Sequence, residues 1–357
     1  MNTGKLAVVM SGFPRCSETF AIGELLALKN RGLLGAIFST KAGDGVRQPG
    51  VEHLLPLLHP LPDADENSQA ASLAKVLKDK NLKGIHGYFA HRPTTVAMKA
   101  AKRLCLPYSF STHARDARKL APQELNRRVE NAACVIACNQ DVANQINRIN
   151  ANVYLLPHGV NLDRFTPTTE PESDTFQMLA VGRLVEKKGF DVLIRAVANL
   201  KFNFRLRIIG EGAEREKLSA LIRQMNLSNR VKLCGALTHN QLPEEFRKAS
   251  VVIVPSVIDS TGDRDGLPNV ILEAMASARA VIASDVSAIR TAIIHQQTGL
   301  LVREKDVNHL RETIESLAPN RAIRQSLGNK AREYITANFA LQRCSEKFCD
   351  LLERIYG

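Results

Sequence analysis

The chain has 357 residues, 45% of them hydrophobic and 24% charged, and its 48 Lys and Arg against 36 Asp and Glu leave a net charge of +12. That balance excludes an intrinsically disordered chain, and the length favours two domains over a single core. With no tryptophan, 5% aromatics and no basic run interleaved with aromatic residues, nucleic acid is not the expected partner.

The positive charge is uneven. Residues 1–165 carry 21 Lys and Arg against 13 Asp and Glu, a net +8, which points to an anionic partner such as a lipid-phosphate surface or a charged acceptor. Lys99, Lys102 and Arg103 follow the apolar pattern of Val96-Ala-Met98, as in a basic amphipathic helix resting on a membrane or simply in a solvated helix face. No apolar run approaches the roughly 20 residues of a membrane span, and Met1 to Lys5 leads straight into a strand-like segment, unlike a secretory signal. The expected location is cytoplasmic, with peripheral contact at the inner face of the membrane. The seven cysteines (Cys16, Cys105, Cys134, Cys138, Cys234, Cys344, Cys349) form no Cys-x-x-Cys pair, and His86, His91 and His113 are too irregularly spaced for a ligand set. No disulfide framework and no metal are expected.

In chain order, Lys5 to Met10 reads as a strand, Ser11 to Ser17 as its loop, and Ser17 as the N-cap of a helix from Glu18 to Lys29. Further strands are predicted near Ala36 to Ser39, Gly84 to Phe89, Tyr108 to Thr112, Cys134 to Ala137 and Val153 to Leu156. Helices are predicted over Ser68 to Lys80, Thr94 to Cys105, Pro122 to Asn131 and Gln140 to Asn150. The polar stretch Thr166 to Asp174, with two prolines, reads as a linker. The alternation then restarts, with strands at Phe176 to Val181, Arg205 to Ile209, Val231 to Cys234, Val251 to Val254, Ala280 to Ala283 and Gly299 to Val302. The intervening helices fall near Phe190 to Leu200, Ala213 to Met225, Gln241 to Ala249, Pro268 to Ser277 and Asp306 to Leu317.

This pattern predicts an α/β protein of two Rossmann-like, doubly wound parallel sheets facing across a cleft. The expected domains are 1–165, on the acceptor side, and 175–335, binding the donor, with a last helix at 340–357 docking back on the first.

The chemistry clusters after predicted strands. Asp265-Gly-Leu-Pro-Asn-Val-Ile-Leu-Glu273 places two carboxylates eight positions apart across a helix entry, and the turn at Gly266, Leu267, Pro268 and Asn269 leaves amides free for an anion. About eighty residues earlier, Gly182-Arg-Leu-Val-Glu-Lys-Lys188-Gly offers Arg183 as a planar fork and Lys188 as a point charge for a diphosphate. Glu273 suits the vicinal hydroxyls of a ribose, and Asp265 the hydroxyls of a sugar beside the phosphate. His113, closing a strand of the first half, can bond a donor-sugar hydroxyl or, more plainly, Asp116. Gly12 lies in the first strand-to-helix turn, where a missing side chain admits a phosphate or an acceptor. Gly210-Glu-Gly212 lacks the third glycine of a dinucleotide fingerprint, since position 215 is Arg215, and no Walker-type loop occurs. His158-Gly-Val-Asn-Leu-Asp-Arg-Phe165 reads as a mainly structural exit from the first half.

With these residues the chain resembles the retaining glycosyltransferase family 4, of GT-B architecture, nearly from end to end. The resemblance is carried by Gly182-Arg183 with Lys188-Gly189-Phe-Asp191, by Asp265 to Ala276, and by Pro157-His-Gly-Val160 with Asp163 and Phe165. Phe13 to Phe20, Gly87 to Ala90 and Ser111-Thr-His113 are similar to a bacterial subgroup that assembles exopolysaccharides of the colanic-acid type. The resemblance implies Arg183 and Lys188 on the donor diphosphate, Glu273 on the ribose, Asp265 and His113 on the transferred sugar, backbone at Gly266 to Asn269 completing the pocket, and Gly12 in the first-domain loop. It further implies a metal-independent transfer from a UDP- or GDP-linked sugar to a sugar or lipid-linked hydroxyl acceptor, with retention. Two departures stand out: Asp265 replaces the usual first Glu of the pair, and Ser11-Gly12-Phe13-Pro14 replaces a double-glycine loop. A non-catalytic sugar-nucleotide-binding assembly protein and a nucleotide-sugar epimerase of the same architecture remain open as alternatives.

Overall fold

The computed structural model describes residues 4–15, 18–45, 48–113, 117–118, 120–150 and 152–357. Two compact units emerge, one of Met1–Gly159 with Leu341–Gly357 and the other of Val160–Ala340.

In the first unit the elements are β1 (Lys5–Phe13), α1 (Thr19–Asn30), β2 (Leu34–Ala42), β3 (Leu58–Pro60), α2 (Glu66–Leu77), β4 (Leu82–Tyr88), α3 (Arg92–Leu104), β5 (Tyr108–Thr112), α4 (Pro122–Glu130), β6 (Cys134–Ala137), α5 (Gln140–Ile146) and β7 (Val153–Leu155). All strands pair in parallel, in the order β3-β2-β1-β4-β5-β6-β7. The order reverses between β1 and β4, and at such a switch point the crossovers leave to opposite faces and open a crevice at the carboxyl ends of the strands. β1 reads as an unbroken apolar run because both of its faces are buried, Ala7 and Val9 packing into one core cluster and Leu6, Val8 and Met10 into another.

The helix boundaries follow local chemistry. α2 starts two residues before Ser68 because the Asp65 side chain accepts from the amides of Asn67 and Ser68, at 2.7 and 3.1 Å. Asn139 caps α5 in the same way, through the Val142 amide at 3.1 Å. The expected cap of α1, Ser17, lies outside the described residues, as does Cys16. The apolar face of α3 is taken up by the core, with Val96, Ala97, Ala100 and Ala101 all buried. Only its charged side is left to meet a membrane.

The second unit contains β8 (Phe176–Val181), α6 (Phe190–Val197), β9 (Phe204–Ile209), α7 (Arg215–Gln224), β10 (Val231–Leu233), α8 (Leu242–Lys248), β11 (Val251–Val254), α9 (Asn269–Ala276), β12 (Ala280–Ser284), β13 (Leu300–Val302), α10 (Val307–Leu317) and α11 (Arg321–Asn338). Its parallel sheet runs β10-β9-β8-β11-β12-β13, so the reversal falls between β8 and β11.

Two features depart from the sequence expectation. The stretch read as a linker belongs to the second unit, because Glu170 is buried against Arg324 with oxygen–nitrogen distances of 2.8 and 3.0 Å, and the unit begins at Val160. An 18-residue helix, α11, lies beyond the expected elements, although Arg324, Leu327, Gly328, Ala331 and Ile335 fall on one buried face at helical spacing. The chain then returns to the first unit, where α12 (Leu341–Tyr356) packs on α1 through Phe348, Leu351 and Leu352, and Arg31 pairs with Asp350.

Gly328 marks a close helix contact in the second unit, since a Cβ there would lie 2.1 Å from the carbonyl oxygen of Ala278. Gly328→Ala should therefore lower stability by about 1–3 kcal/mol through forced overpacking, read as a fall in thermal midpoint. An unchanged midpoint would show that α11 can shift freely.

Candidate functional site

In the second unit, the segment after β8 and the segment after β11 meet through an ion pair. Lys188 Nζ lies 2.7 Å from Asp265 Oδ2, which also accepts from Ser256 Oγ at 2.9 Å. Lys187, buried beside it, reaches Asp263 at 3.0 Å and the other Asp265 oxygen at 3.6 Å. Burial opposes the charge on Asp265, but the Lys188 ammonium, seconded by Lys187 and the Ser256 hydroxyl, outweighs it and holds the carboxyl below its usual range.

Glycines make this approach possible. Gly189 has φ of 63°, and a Cβ on it would sit 1.9 Å from the Pro255 carbonyl oxygen, so only glycine lets the lysine turn lie against the end of β11. Gly210, with φ of 145°, similarly leaves room for the Gly182 carbonyl, and the Lys188 stem runs over Gly182. Arg183 is exposed and forms no ion pair with any described residue. The two cations expected to act together are thus differently placed, Lys188 tied to Asp265 and Arg183 out in solvent.

Glu273, buried in the second turn of α9, belongs to another constellation. Its Oε1 lies 3.3 Å from His239 Nε2, and His239 Nδ1 meets the guanidinium of Arg164. Arginine can only donate, so Nδ1 accepts and the His239 proton sits on Nε2, donating to Glu273. Asn161 fixes the backbone at Arg164, its side chain accepting from the amides of Asp163 and Arg164 at 3.0 Å each. No described bond joins Asp265 to Glu273. Gly266 to Asn269 form the entry to α9, with Pro268 at the N-cap and no side chain capping the first amides. His239, Arg164 and Lys187 are site residues that the motifs do not mark. Lys187 adjoins a motif lysine, but no local signal distinguishes His239, which lies in a loop far along the chain.

In the first unit, Gly12 lies within β1 and not in the turn that follows, and the space a Cβ would need is occupied by the Ala42 carbonyl oxygen at 2.6 Å. Neighbouring backbone, rather than open space, meets the missing side chain. His113 follows β5 as expected, with ring centroids 4.7 Å from Phe89 and 5.4 Å from Phe20. Its expected alternative partner, Asp116, lies outside the described residues. Its Nε2 is 2.6 Å from His158 Nε2, and His158 Nδ1 is 2.9 Å from Glu24 Oε1, while Tyr88 donates its hydroxyl to Glu24 Oε2. Burial, reinforced by His158 and His91, holds the His113 imidazole well below its ordinary pKa.

His113, Cys138 and His158 bring potential ligand atoms within 4.8 Å of one another. Two imidazole nitrogens bound tetrahedrally at about 2.0–2.1 Å from zinc would stand roughly 3.3 Å apart. The 2.6 Å separation is that of a hydrogen bond.

Two doubly wound parallel sheets, each with a strand-order reversal, make up the GT-B architecture. Residues 163–334, just under half of the chain, match the family model of glycosyl transferases group 1. An uncharacterized glycosyltransferase of Methanocaldococcus jannaschii is 27% identical over 275 residues, 75% of this chain and 74% of the relative. A putative colanic acid biosynthesis glycosyltransferase, WcaL of Salmonella typhimurium, is 30% identical over 202 residues, 55% of this chain and 50% of that protein. The match to WcaL therefore spans only half of its length. The crystal structure of Anabaena HepE in complex with UDP superposes with a TM-score of 0.83 at 15% identity, covering 98% of this chain and 100% of that one, a likeness of fold.

At the head of α1, the Glu18 carboxyl is pushed up by burial from 4.5 to about 7, against the pull of Arg15, whose Nη1 lies 3.2 Å away. A carboxyl that binds its proton more tightly when folded adds stability below about pH 4.5 and loses that contribution as the pH rises through about 7. Glu18→Gln should thus leave stability unchanged near pH 4 and raise it by up to about 3 kcal/mol above pH 7. Denaturant melts of both proteins from pH 4 to 8 test this, and a difference independent of pH would refute the buried-carboxyl account.

Proposed function

We propose that the chain is a retaining glycosyltransferase. It moves a sugar from a UDP- or GDP-linked donor to a hydroxyl of a sugar or lipid-linked acceptor, in polysaccharide or glycolipid biosynthesis and without a metal ion. The observation that carries this reading is the Lys188–Asp265 pair at the reversal of the second sheet, just ahead of a helix whose first amides no side chain caps. Anions are favoured at such a helix mouth. One of the three Lys188 protons is given to Asp265, which leaves two for a phosphate, and exposed Arg183 adds a bidentate fork for the same group. Glu273, oriented by His239, offers its second oxygen to ribose hydroxyls, and Asp265 and His113 take the transferred sugar.

On this reading the bond from the anomeric carbon to the donor phosphate breaks while the acceptor oxygen bonds to the same face. The acceptor proton passes to the departing phosphate oxygen, so no further base is needed. The name of WcaL supports a polysaccharide pathway, and the UDP bound by HepE supports a nucleoside diphosphate donor. The net +8 over residues 1–165 suits an acceptor carried on an anionic membrane, held by charge alone because the apolar face of α3 is buried.

Lys188→Ala and Glu273→Ala should each cut donor turnover by at least about a hundredfold while the circular dichroism spectrum keeps its wild-type shape, with a lower melt for Lys188→Ala because Asp265 loses its partner. Turnover is read as release of nucleoside diphosphate from UDP-glucose, UDP-N-acetylglucosamine or GDP-mannose, with product analysis to separate transfer from epimerisation. Wild-type rates in both variants would end the assignment.

A further inference from the structure

The second unit holds a cavity at the end of its sheet away from the Lys188–Asp265 pair. Ser250 and Ala280, at the starts of β11 and β12, line it together with the segment from Pro167 to Glu170 and residues of α11. It shares no residue with the helix mouth at α9, which lies beyond the carboxyl ends of the same parallel strands. Its volume is about 380 Å³, enough for a small ligand, and it opens to solvent past the exposed residues Thr169 and Asn329.

The charges around this cavity do not balance. Glu170 is buried, and both of its carboxylate oxygens are taken by Arg324, at 2.8 and 3.0 Å. Arg279 is only 3% exposed, and no carboxylate of a described residue pairs with it. Its Nη2 alone is bonded, to the Thr168 carbonyl oxygen at 2.9 Å and to the Thr168 hydroxyl. The Nε is buried with no acceptor, and no described residue accepts from Nη1. Burial acts against the charge and Glu170 offsets it only in part, so the guanidinium is held below its ordinary pKa. A buried guanidinium with no counter-ion is costly, and an anion placed against it removes that cost. Hydroxyl donors stand beside it. Buried Ser250 accepts from the Gln177 amide at 3.3 Å, and Thr168 accepts from Arg279, which leaves each hydroxyl its own proton to give.

We propose that this cavity binds a small phosphate-bearing anion, held by Arg279 and by the hydroxyls of Ser250 and Thr168. A phosphate presents acceptors in several directions, which matches a lining whose open groups are donors and whose one carboxylate is already engaged. Arg279 follows closely on α9, so the anion stands at the opposite end of the helix from the candidate donor mouth. The site is independent of the glycosyltransferase reading.

Isothermal titration calorimetry of the full chain with inorganic phosphate and with glycerol 3-phosphate tests this, the two probes separating free phosphate from a phosphate ester. Saturable binding of at least one probe to the wild type is expected, and the tighter of the two identifies the source. Arg279→Gln should weaken it at least about tenfold, the loss expected when a charge-assisted hydrogen bond is removed. Asn329→Asp puts a negative charge on the exposed rim, away from the hydrogen bonds of Arg279, and should weaken it as much. Should Arg279→Gln fail to fold, the Asn329→Asp titration decides. Lys188→Ala, altered at the other end of the sheet, should leave binding unchanged. The proposal is overturned if neither probe binds the wild type, or if binding is undiminished in Asn329→Asp or in folded Arg279→Gln. Loss of binding in Lys188→Ala also overturns it, since the anion would then sit at the helix mouth.

Discussion

The half-buried contact of Lys188 with Asp265 is the constraint around which the second unit is arranged. Two strands on either side of the sheet reversal end in segments that carry charge, and bringing those charges out of water is costly unless they meet. Their meeting requires that the lysine turn lie against the Pro255 carbonyl, which only a residue without a side chain allows at Gly189. It also sets where α9 starts, because the loop from Asp265 reaches the helix within a few residues. Glycine placement, ion pair and helix mouth are therefore one device.

The first unit gathers its polar groups in a different way. Its reversal point lies between β1 and β4, and there Tyr88, Glu24, His158 and His113 are joined by successive hydrogen bonds. A series of this kind resists rearrangement, since breaking any link strands a donor or acceptor. Aromatic packing by Phe20 and Phe89 adds rigidity without adding charge.

Much of this is legible in the sequence for an identifiable reason. Strands buried on both faces show as apolar runs, and β5, β6, β8 and β11 fall at the residues expected. The motif around Lys188 and Asp265 is visible because both lie in short loops whose neighbours are glycine and proline. What is not legible depends on contacts between distant segments. His239 reaches Glu273 across 34 positions and His158 reaches Glu24 across 134, and neither leaves a periodic trace. The stretch from Thr166 to Asp174 looks like a linker by composition, yet one buried ion pair from Glu170 fixes it to its unit. α11 is the exception, since its buried face is written in the spacing of Leu327, Ala331 and Ile335 even though it stands outside the expected elements.

The return of the chain at Leu341 has a consequence for the order of assembly. Phe348, Leu351, Leu352 and Tyr356 complete the side of the first core that holds Leu25 and Leu28, so that side stays open during synthesis until the whole second unit has been made. A nascent chain would carry an uncovered apolar face through most of its translation, while the second unit, continuous in sequence, can close as soon as it emerges. The unit encoded first is the one finished last.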